Sequence, residues 1–450
     1  MRSPRTPNQS LRILLAEAGW SGAQLARRIN ALAAAQGTAL RYDRTSVAHW
    51  LAGSRPRPPV PDLVAEAFTR SLGRPVRAQD TGLLNPGQPR RADGAPPGEG
   101  SAVARLERIL GDTDRRGLAR LGAYSLAALA IPPGVSEAAR IPAAEPSARV
   151  DASQVRLARE MLTVFSRGDA AFGAGSIREP LRQFLSTALL PWLRRDMKPA
   201  VRRELFTVAA QLVYLCAFTH FDMNHQAAAQ RLYLTSVELA REAGDPVGTA
   251  LGLRGLSVQA HTLGHFTEAH RLAEHAVRTG VRHVPPHQQA FLQGQLAVTQ
   301  AALGDSRALR LLADAERRLE GTASGSSPVG AFHQGSLALQ HAAVARSRGD
   351  HRTAVRALDL SLRRRPADER RSRALSLAEL AELQLAAGHL EQACRTGHEF
   401  LDVLPHIHSA RAEVRLRALT AGLRPHATNT VAAALLARAR PRGGAGRPTG

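Results

Sequence analysis

LGHFTEAHRLAEHA, Leu263 to Ala276, decides the fold. Glycine stands at 264, a bulky residue at 266, and alanines at 269 and 276, in a run with apolar residues at helical spacing. A glycine at a tight reversal between helices supplies positive φ without a Cβ clash. A small residue five positions on lets two helix backbones approach closely. The same pattern returns in RGDHRTAVRALDLS (Arg348 to Ser361) and AGHLEQACRTGHEF (Ala387 to Phe400). ALGDSRALRLLADAE (Ala302 to Glu316) carries it one residue shorter. MNHQAAAQRLYLTS (Met223 to Ser236) carries it with Asn224 in the glycine slot, Ala229 five on and Ser236 twelve on. The reversals at 224, 264, 304, 349 and 388 are spaced by 40, 40, 45 and 39 residues, and each follows another apolar helix, such as 250–262 or 372–385. One helix pair cannot bury its own faces, whereas stacked pairs can. The expectation is an all-α chain whose main part is an α-solenoid of helix pairs.

Composition sets the rest of the frame. Hydrophobic residues make up 44% and aromatics 4%, which argues against aromatic-rich sandwiches and barrels. The formal net charge is +22, which points to a polyanionic partner, although an arginine-rich, GC-biased coding sequence gives part of the same signal. Lys198 is the sole lysine and precedes Pro199, so no phosphate-cradling G-x-x-x-x-G-K-[ST] loop exists. Cys216 and Cys394 lie in apolar helical runs without a C-x-x-C, as buried thiols in a reducing compartment would. MRSPRTPNQS has no apolar signal core, and no run reaches about 18 uninterrupted apolar residues, so a soluble cytoplasmic protein with no membrane partner is expected.

Four parts are expected. Residues 8–82 read as a compact helical domain. Residues 83–150 read as a linker, breaker-rich at 85–100 and 132–148, with one helical segment over 101–131. The repeats occupy 151–438, and 439–450 is a disordered Pro/Gly/Arg tail. His261, His265, His270 and His275 tempt as metal ligands, but only His261 and His265 have i,i+4 spacing, and the turn at Gly264 places them on different helices. No G-x-S-x-G, H-E-x-x-H or credible carboxylate pair occurs, so no catalytic residue, metal or cofactor is expected. The run RRRPADERRSR, Arg363 to Arg373, reads as a solvated loop between repeats.

The first domain carries the candidate site. SLRILLAEAGW (Ser10 to Trp20) puts its leucines on one face and stops at Gly19. SGAQLARRINAL (Ser21 to Leu32) starts on a serine N-cap and shows Leu25, Ile29 and Leu32 as a stripe, with Ala26 small enough for helix contact. Asp43 caps DRTSVAHWLAG, where Val47, Trp50 and Leu51 form the apolar face and Gly53 ends the helix. Arg44, Thr45, Ser46 and His49 are left off that face, around the helix's first turns. Such donors and acceptors at the start of a helix suit the major groove of duplex DNA. The start of the preceding helix, with Ser21 and the Gln24 side chain, suits a phosphate, and Arg55 and Arg57 follow the presumed reader where backbone phosphates would lie. Residues 1–80 hold 12 arginines against 5 acidic residues.

On Gln24-Leu25-Ala26, then Val47, Trp50 and Gly53, with Pro56 beyond, the segment from about Asn8 to Pro61 resembles the Cro/λ-repressor-like (XRE) helix-turn-helix family. That resemblance implies base contacts from Arg44, Thr45, Ser46 and His49. The stretch AAAQGTALRY, residues 33–42, is longer than the family's usual connection, so either the first helix of the motif runs on or an insertion protrudes. The repeats resemble the tetratricopeptide repeat, with Gly264, Ala269 and Ala276 in its small slots and Pro366 and Pro405 closing their repeats. Ser361 and Phe400 depart from it. The whole layout resembles a regulator type familiar from actinobacteria, some of whose relatives bind signalling peptides in the repeat groove. The resemblance implies a regulator that binds double-stranded DNA through its first domain and whose repeats form a homodimer, take a peptide or protein effector, or do both. The competing reading is an interaction scaffold whose helix-turn-helix does not read DNA.

Overall fold

The computed structural model describes residues 6–35, 40–72, 74, 76–84, 101–111, 124–129, 149–320, 329 and 332–440. Among them every regular element is helical, and the chain is all-α. It divides into two compact units, 1–160 with 180–272, and 161–179 with 273–450. These units cut the chain differently from the boundaries expected at 82 and 150.

The first unit opens with α1 (Gln9–Glu17), α2 (Gly22–Ala35), α3 (Arg44–Leu51) and α4 (Val60–Leu72). Leu11, Leu25, Ile29, Val47, Leu63 and Phe68 are fully buried together, the faces that the 3- and 4-residue spacing required. Asn8 closes this domain. Its Oδ1 accepts from Leu11 N at 3.0 Å as the α1 cap, its Nδ2 donates to Thr81 O at 2.9 Å, and its own amide donates to Leu51 O at 2.9 Å. Gly82, at φ 67°, leaves room for that side chain, because a Cβ there would stand 2.3 Å from Asn8 Oδ1.

α5 (Ala102–Gly111) buries Val103, Leu106, Ile109 and Leu110 and belongs to the packed unit rather than to a free linker. The expected helix over 101–131 is realised over that span. Residues 112–123 and 130–131 lie outside the described residues, and Tyr124 to Leu126 is irregular before one 3-10 turn at Ala127–Leu129. There the backbone bonds to side chains from elsewhere in the unit, which replaces the i−4 carbonyls a helix would supply.

α6 (Ala152–Phe172) and α7 (Ala174–Phe184) follow, and a π-helical turn at Leu185–Leu189 leads into α8 (Leu190–Leu193). Then come α9 (Pro199–Asp222), α10 (Gln226–Glu242), α11 (Pro246–Thr262) and α12 (Phe266–Gly280). α9 has the length and composition to cross a membrane, yet 72% of its most apolar stretch is buried in the protein. Asn224 and Gly264 adopt φ of 61° and 83° at the reversals, and Ala229 and Ala269 five positions on are fully buried. Ser236 Oγ donates to Ala210 O at 2.9 Å and Ser257 Oγ to Ala269 O at 2.7 Å, so these small residues also tie neighbouring helices.

Glu238 of α10 faces Arg105 of α5 at 3.0 Å. Burial pushes its carboxyl up from the ordinary 4.5 to about 7, with Arg105 pulling the other way. A carboxyl raised on folding contributes stability that is whole below 4.5 and is lost as pH climbs through about 7. Taken by itself, Glu238 therefore makes the first unit more stable at pH 5 than at pH 8, by up to about 3 kcal/mol, while the lowered His265 works in the opposite direction. Glu238→Gln should flatten that slope in urea unfolding followed by amide exchange in α10; an unaltered slope would assign it to other groups.

The second unit stacks α13 (Pro286–Ala302), α14 (Ala308–Leu319), α15 (Gln334–Ser347), α16 (His351–Arg364), α17 (Arg370–Ala386), α18 (Leu390–Val403), α19 (Ala410–Leu423) and α20 (Thr430–Ala439). Gly304, Gly349 and Gly388 are left-handed at 78°, 76° and 81°, and Ala308, Ala354 and Ala393 are fully buried behind them. The two departures in the last small slot are absorbed differently. Ser361 Oγ donates to Gly335 O at 2.6 Å, and Phe400 fills the core around α17 to α20.

The expected inter-repeat connection at 363–373 is exposed at Arg363, Arg364, Pro366, Ala367, Asp368 and Arg370, but two of its arginines turn inward. Arg371 is 8% exposed and meets Asp169, 4% exposed, at 2.8 Å. The Arg365 side chain is covered too, and its guanidinium bonds Glu369 and donates to Ser361 Oγ at 3.1 Å. The arginines enter the unit because a carboxylate awaits each of them. Nearby, His408 N donates to Phe172 O at 2.7 Å and Gly175 N to His408 O at 2.9 Å, anchoring 172–175 to the segment before α19.

Candidate nucleic-acid interface

Two helix starts are brought side by side. A Cβ on Gly22 would lie 3.3 Å from Val47 Cγ1 and 3.9 Å from Arg44 O, so the beginning of α2 rests against the beginning of α3. Each start is closed by a reciprocal cap. In α2, Ser21 Oγ accepts from Gln24 N at 3.3 Å and Gln24 Oε1 accepts from Ser21 N at 2.7 Å. In α3, Asp43 Oδ1 accepts from Ser46 N at 2.8 Å and from Ser46 Oγ at 2.7 Å. The Ser46 amide and hydroxyl hold the Asp43 carboxyl below its usual range, so the cap is ionised at neutral pH.

The caps sort the candidate residues. Arg44, Thr45 and His49 are exposed on one side of α3, opposite buried Val47 and Trp50. The Ser46 hydroxyl proton goes to Asp43, so Ser46 sets the helix start and offers a partner only its oxygen lone pairs. Ser21 and Gln24 are exposed but share their polar atoms with each other in the α2 cap. Arg55 and Arg57 are exposed just past α3. Tyr42, Thr45, His49 and Trp50 border a shallow open hollow beside the cap.

The long 33–42 stretch is resolved in part. α2 runs on to Ala35, and 36–39 lie outside the described residues. Asn30 then fixes the approach to α3: its Nδ2 donates to Tyr42 O at 2.8 Å and its Oδ1 accepts from Tyr42 N at 2.9 Å. The Tyr42 ring meets Trp50 edge-on at 5.1 Å. Asn30 was missed in the sequence, and a polar residue beside the Leu25–Ile29–Leu32 stripe is the signal that could have found it. On the far side, Trp20 stacks on Phe68 at 5.2 Å with the Arg28 guanidinium 4.4 Å above its ring.

One cluster in the second unit has the composition of a catalytic triad but not its geometry. His333 Nδ1 accepts from Gly335 N at 3.1 Å, so the neutral ring carries its proton on Nε2. Glu369 Oε1 at 3.0 Å and Ser336 Oγ at 3.1 Å both face that same nitrogen. A base for serine needs the hydroxyl and the carboxylate on opposite nitrogens, so His333 is a helix cap. Elsewhere in this unit an open hollow lies beside Asp359, Arg363, Arg373, Thr396 and Glu399, lined with both charges.

Among sequence families, the one described as the SP15 N-terminal domain matches residues 11–84. That span runs from within α1 through α4 to the 3-10 turn at Ala78–Thr81, a minor part of the chain. No curated protein matches the chain at a significant level.

Proposed function

We propose that the chain is a DNA-binding transcriptional regulator of the cytoplasm. Its N-terminal helices read duplex DNA, and its helix pairs form a homodimer or hold a peptide or protein effector. The observation that carries the reading is the doubly capped α2–α3 pair, which presents Arg44, Thr45 and His49 outward from a face seated by Val47 and Trp50. A net charge of +22 adds a sequence-independent attraction for phosphate. Arg44 is the base-reading residue of choice, because a guanidinium bonds guanine through two donors. Arg55 and Arg57 serve phosphates. A single small reader gains specificity when a dimer holds two of them about one helical turn of DNA apart.

Salt-titrated retention of genomic fragments on the full chain tests this. A subset of fragments should be held above the rest, and Arg44→Ala should lower their affinity about 10- to 100-fold while binding of unselected DNA persists. Equal retention of all fragments at every salt concentration would leave charge alone, and the interaction-scaffold reading would take its place. The mixed-charge hollow beside Asp359 and Arg363 is where an effector on the second unit would be sought.

A further inference from the structure

Tyr124 to Leu129 is held as a bound peptide is held. One carboxamide, Gln230 of α10, pairs with both main-chain groups of Ser125: Oε1 accepts from its N at 2.8 Å and Nε2 donates to its O at 2.6 Å. Glu66 of α4 accepts from Leu126 N on Oε2 at 3.0 Å, and its other oxygen is held by Arg70 Nε at 2.8 Å. Arg271 of α12 donates to Leu129 O at 3.0 Å. The ends of the segment are anchored by side chains. The Tyr124 ring lies parallel to that of His265, centroids 5.5 Å apart and planes 3° off, and is 0% exposed. Leu129 is buried as well.

Side chains that satisfy main-chain groups accept any sequence, and sockets at fixed spacing choose the anchors. That division of labour is how proteins take peptides of varied sequence. All the holding residues sit in the first unit, on three separate helices. Burial, helped by the Arg70 charge, pushes His265 down to about 4, so the ring under Tyr124 is neutral at pH 7 and stacks as an uncharged aromatic.

We propose that the surface formed by α4, α10 and α12 is a peptide-binding site, filled in cis by Tyr124–Leu129. It takes a short peptide that ends in one 3-10 turn, with an aromatic anchor and an aliphatic residue five positions later. The cis segment is a clasp joining the N-terminal helices to the helix pairs, and a peptide of that chemistry supplied in trans competes for the same contacts. Because the resident segment belongs to the same chain, the wild-type protein resists a weak competitor. This inference does not rest on DNA reading, and its test contains no DNA.

The probe is a fluorescein-labelled, end-capped hexapeptide YSLAAL, the sequence of residues 124–129. Full-length Tyr124→Gly/Leu129→Gly, with its helical circular dichroism intact, should bind the probe at least about tenfold tighter than wild type does. Adding Gln230→Leu to that chain should remove most of the gain. An emptied, folded chain that binds the probe no better than a scrambled hexapeptide overturns the proposal. Should the emptied chain lose its helical signal, the decision passes to amide exchange on Gln230→Leu in the otherwise wild-type chain. The amides of Ser125 and Leu126 should then exchange at least about tenfold faster while those of α3 do not change. Unchanged exchange at Ser125 and Leu126 overturns it equally.

Discussion

Trp50→Ala is expected to loosen the N-terminal domain by about 3–5 kcal/mol, the range for removing a large buried aromatic. Trp50 is 4% exposed, packs with Val47 in the α1–α4 core and receives the edge of Tyr42 at 5.1 Å. Removing it takes away the floor on which α3 rests and the partner of the ring that leads into α3. Amide exchange in α3 should accelerate by about a hundredfold to a few thousandfold relative to the parent chain, one decade per 1.4 kcal/mol. Trp50→Phe keeps an aromatic in the seat and should cost much less. The comparison with Arg44→Ala separates support from contact. Arg44→Ala should weaken selected DNA while leaving α3 amides protected, whereas Trp50→Ala should lose both. Exchange in α3 within about threefold of the parent would show that the remaining core seats the helix without Trp50.

Asp169→Ala should destabilise the second unit by a similar amount through a different cause. It strips a buried guanidinium of its carboxylate, and breaking one side of a buried pair costs about 3–5 kcal/mol. Arg371 would keep its longer bond to Asp169 O, at 3.4 Å, but lose the carboxylate facing its buried charge. The expected reading is faster amide exchange through α17 and a lower urea midpoint for its transition. The double replacement Asp169→Leu/Arg371→Met removes the charge together with its partner and should recover most of the loss. A double variant as unstable as Asp169→Ala would mean that packing, not the stranded charge, sets the cost.

Particular residues show what could be read in advance. Gly264, Gly304, Gly349, Gly388 and Asn224 were legible as reversals because positive φ is a local demand, met by the residue at that position. The small residues behind them were legible because close approach of two helices leaves little room for a larger side chain. In the candidate site, Asp43 as cap, Val47 and Trp50 as the seated face, and Arg44, Thr45 and His49 as the outward edge follow from helical period alone. The Ser46 hydroxyl was read as part of that edge, yet its proton is held by Asp43 three residues away; a cap and a contact look alike until the hydrogen bond is seen. Asn30 escaped because its partners are the backbone groups of Tyr42, and backbone carries no sequence signal.

By itself the sequence determined the helices, their turns and the faces they bury, since each depends on neighbours within a few residues. Tertiary structure decided which charges go inside and what holds the irregular segments. Arg371 reads as one more arginine of a charged run until Asp169, 202 residues away, is placed against it. Tyr124 to Leu126 reads as helix until Glu66 and Gln230 meet its backbone groups from 60 and 105 residues off. The physical reason is common to both. A buried charge or an unpaired peptide group is costly alone and cheap beside its partner, and only the folded chain sets that distance.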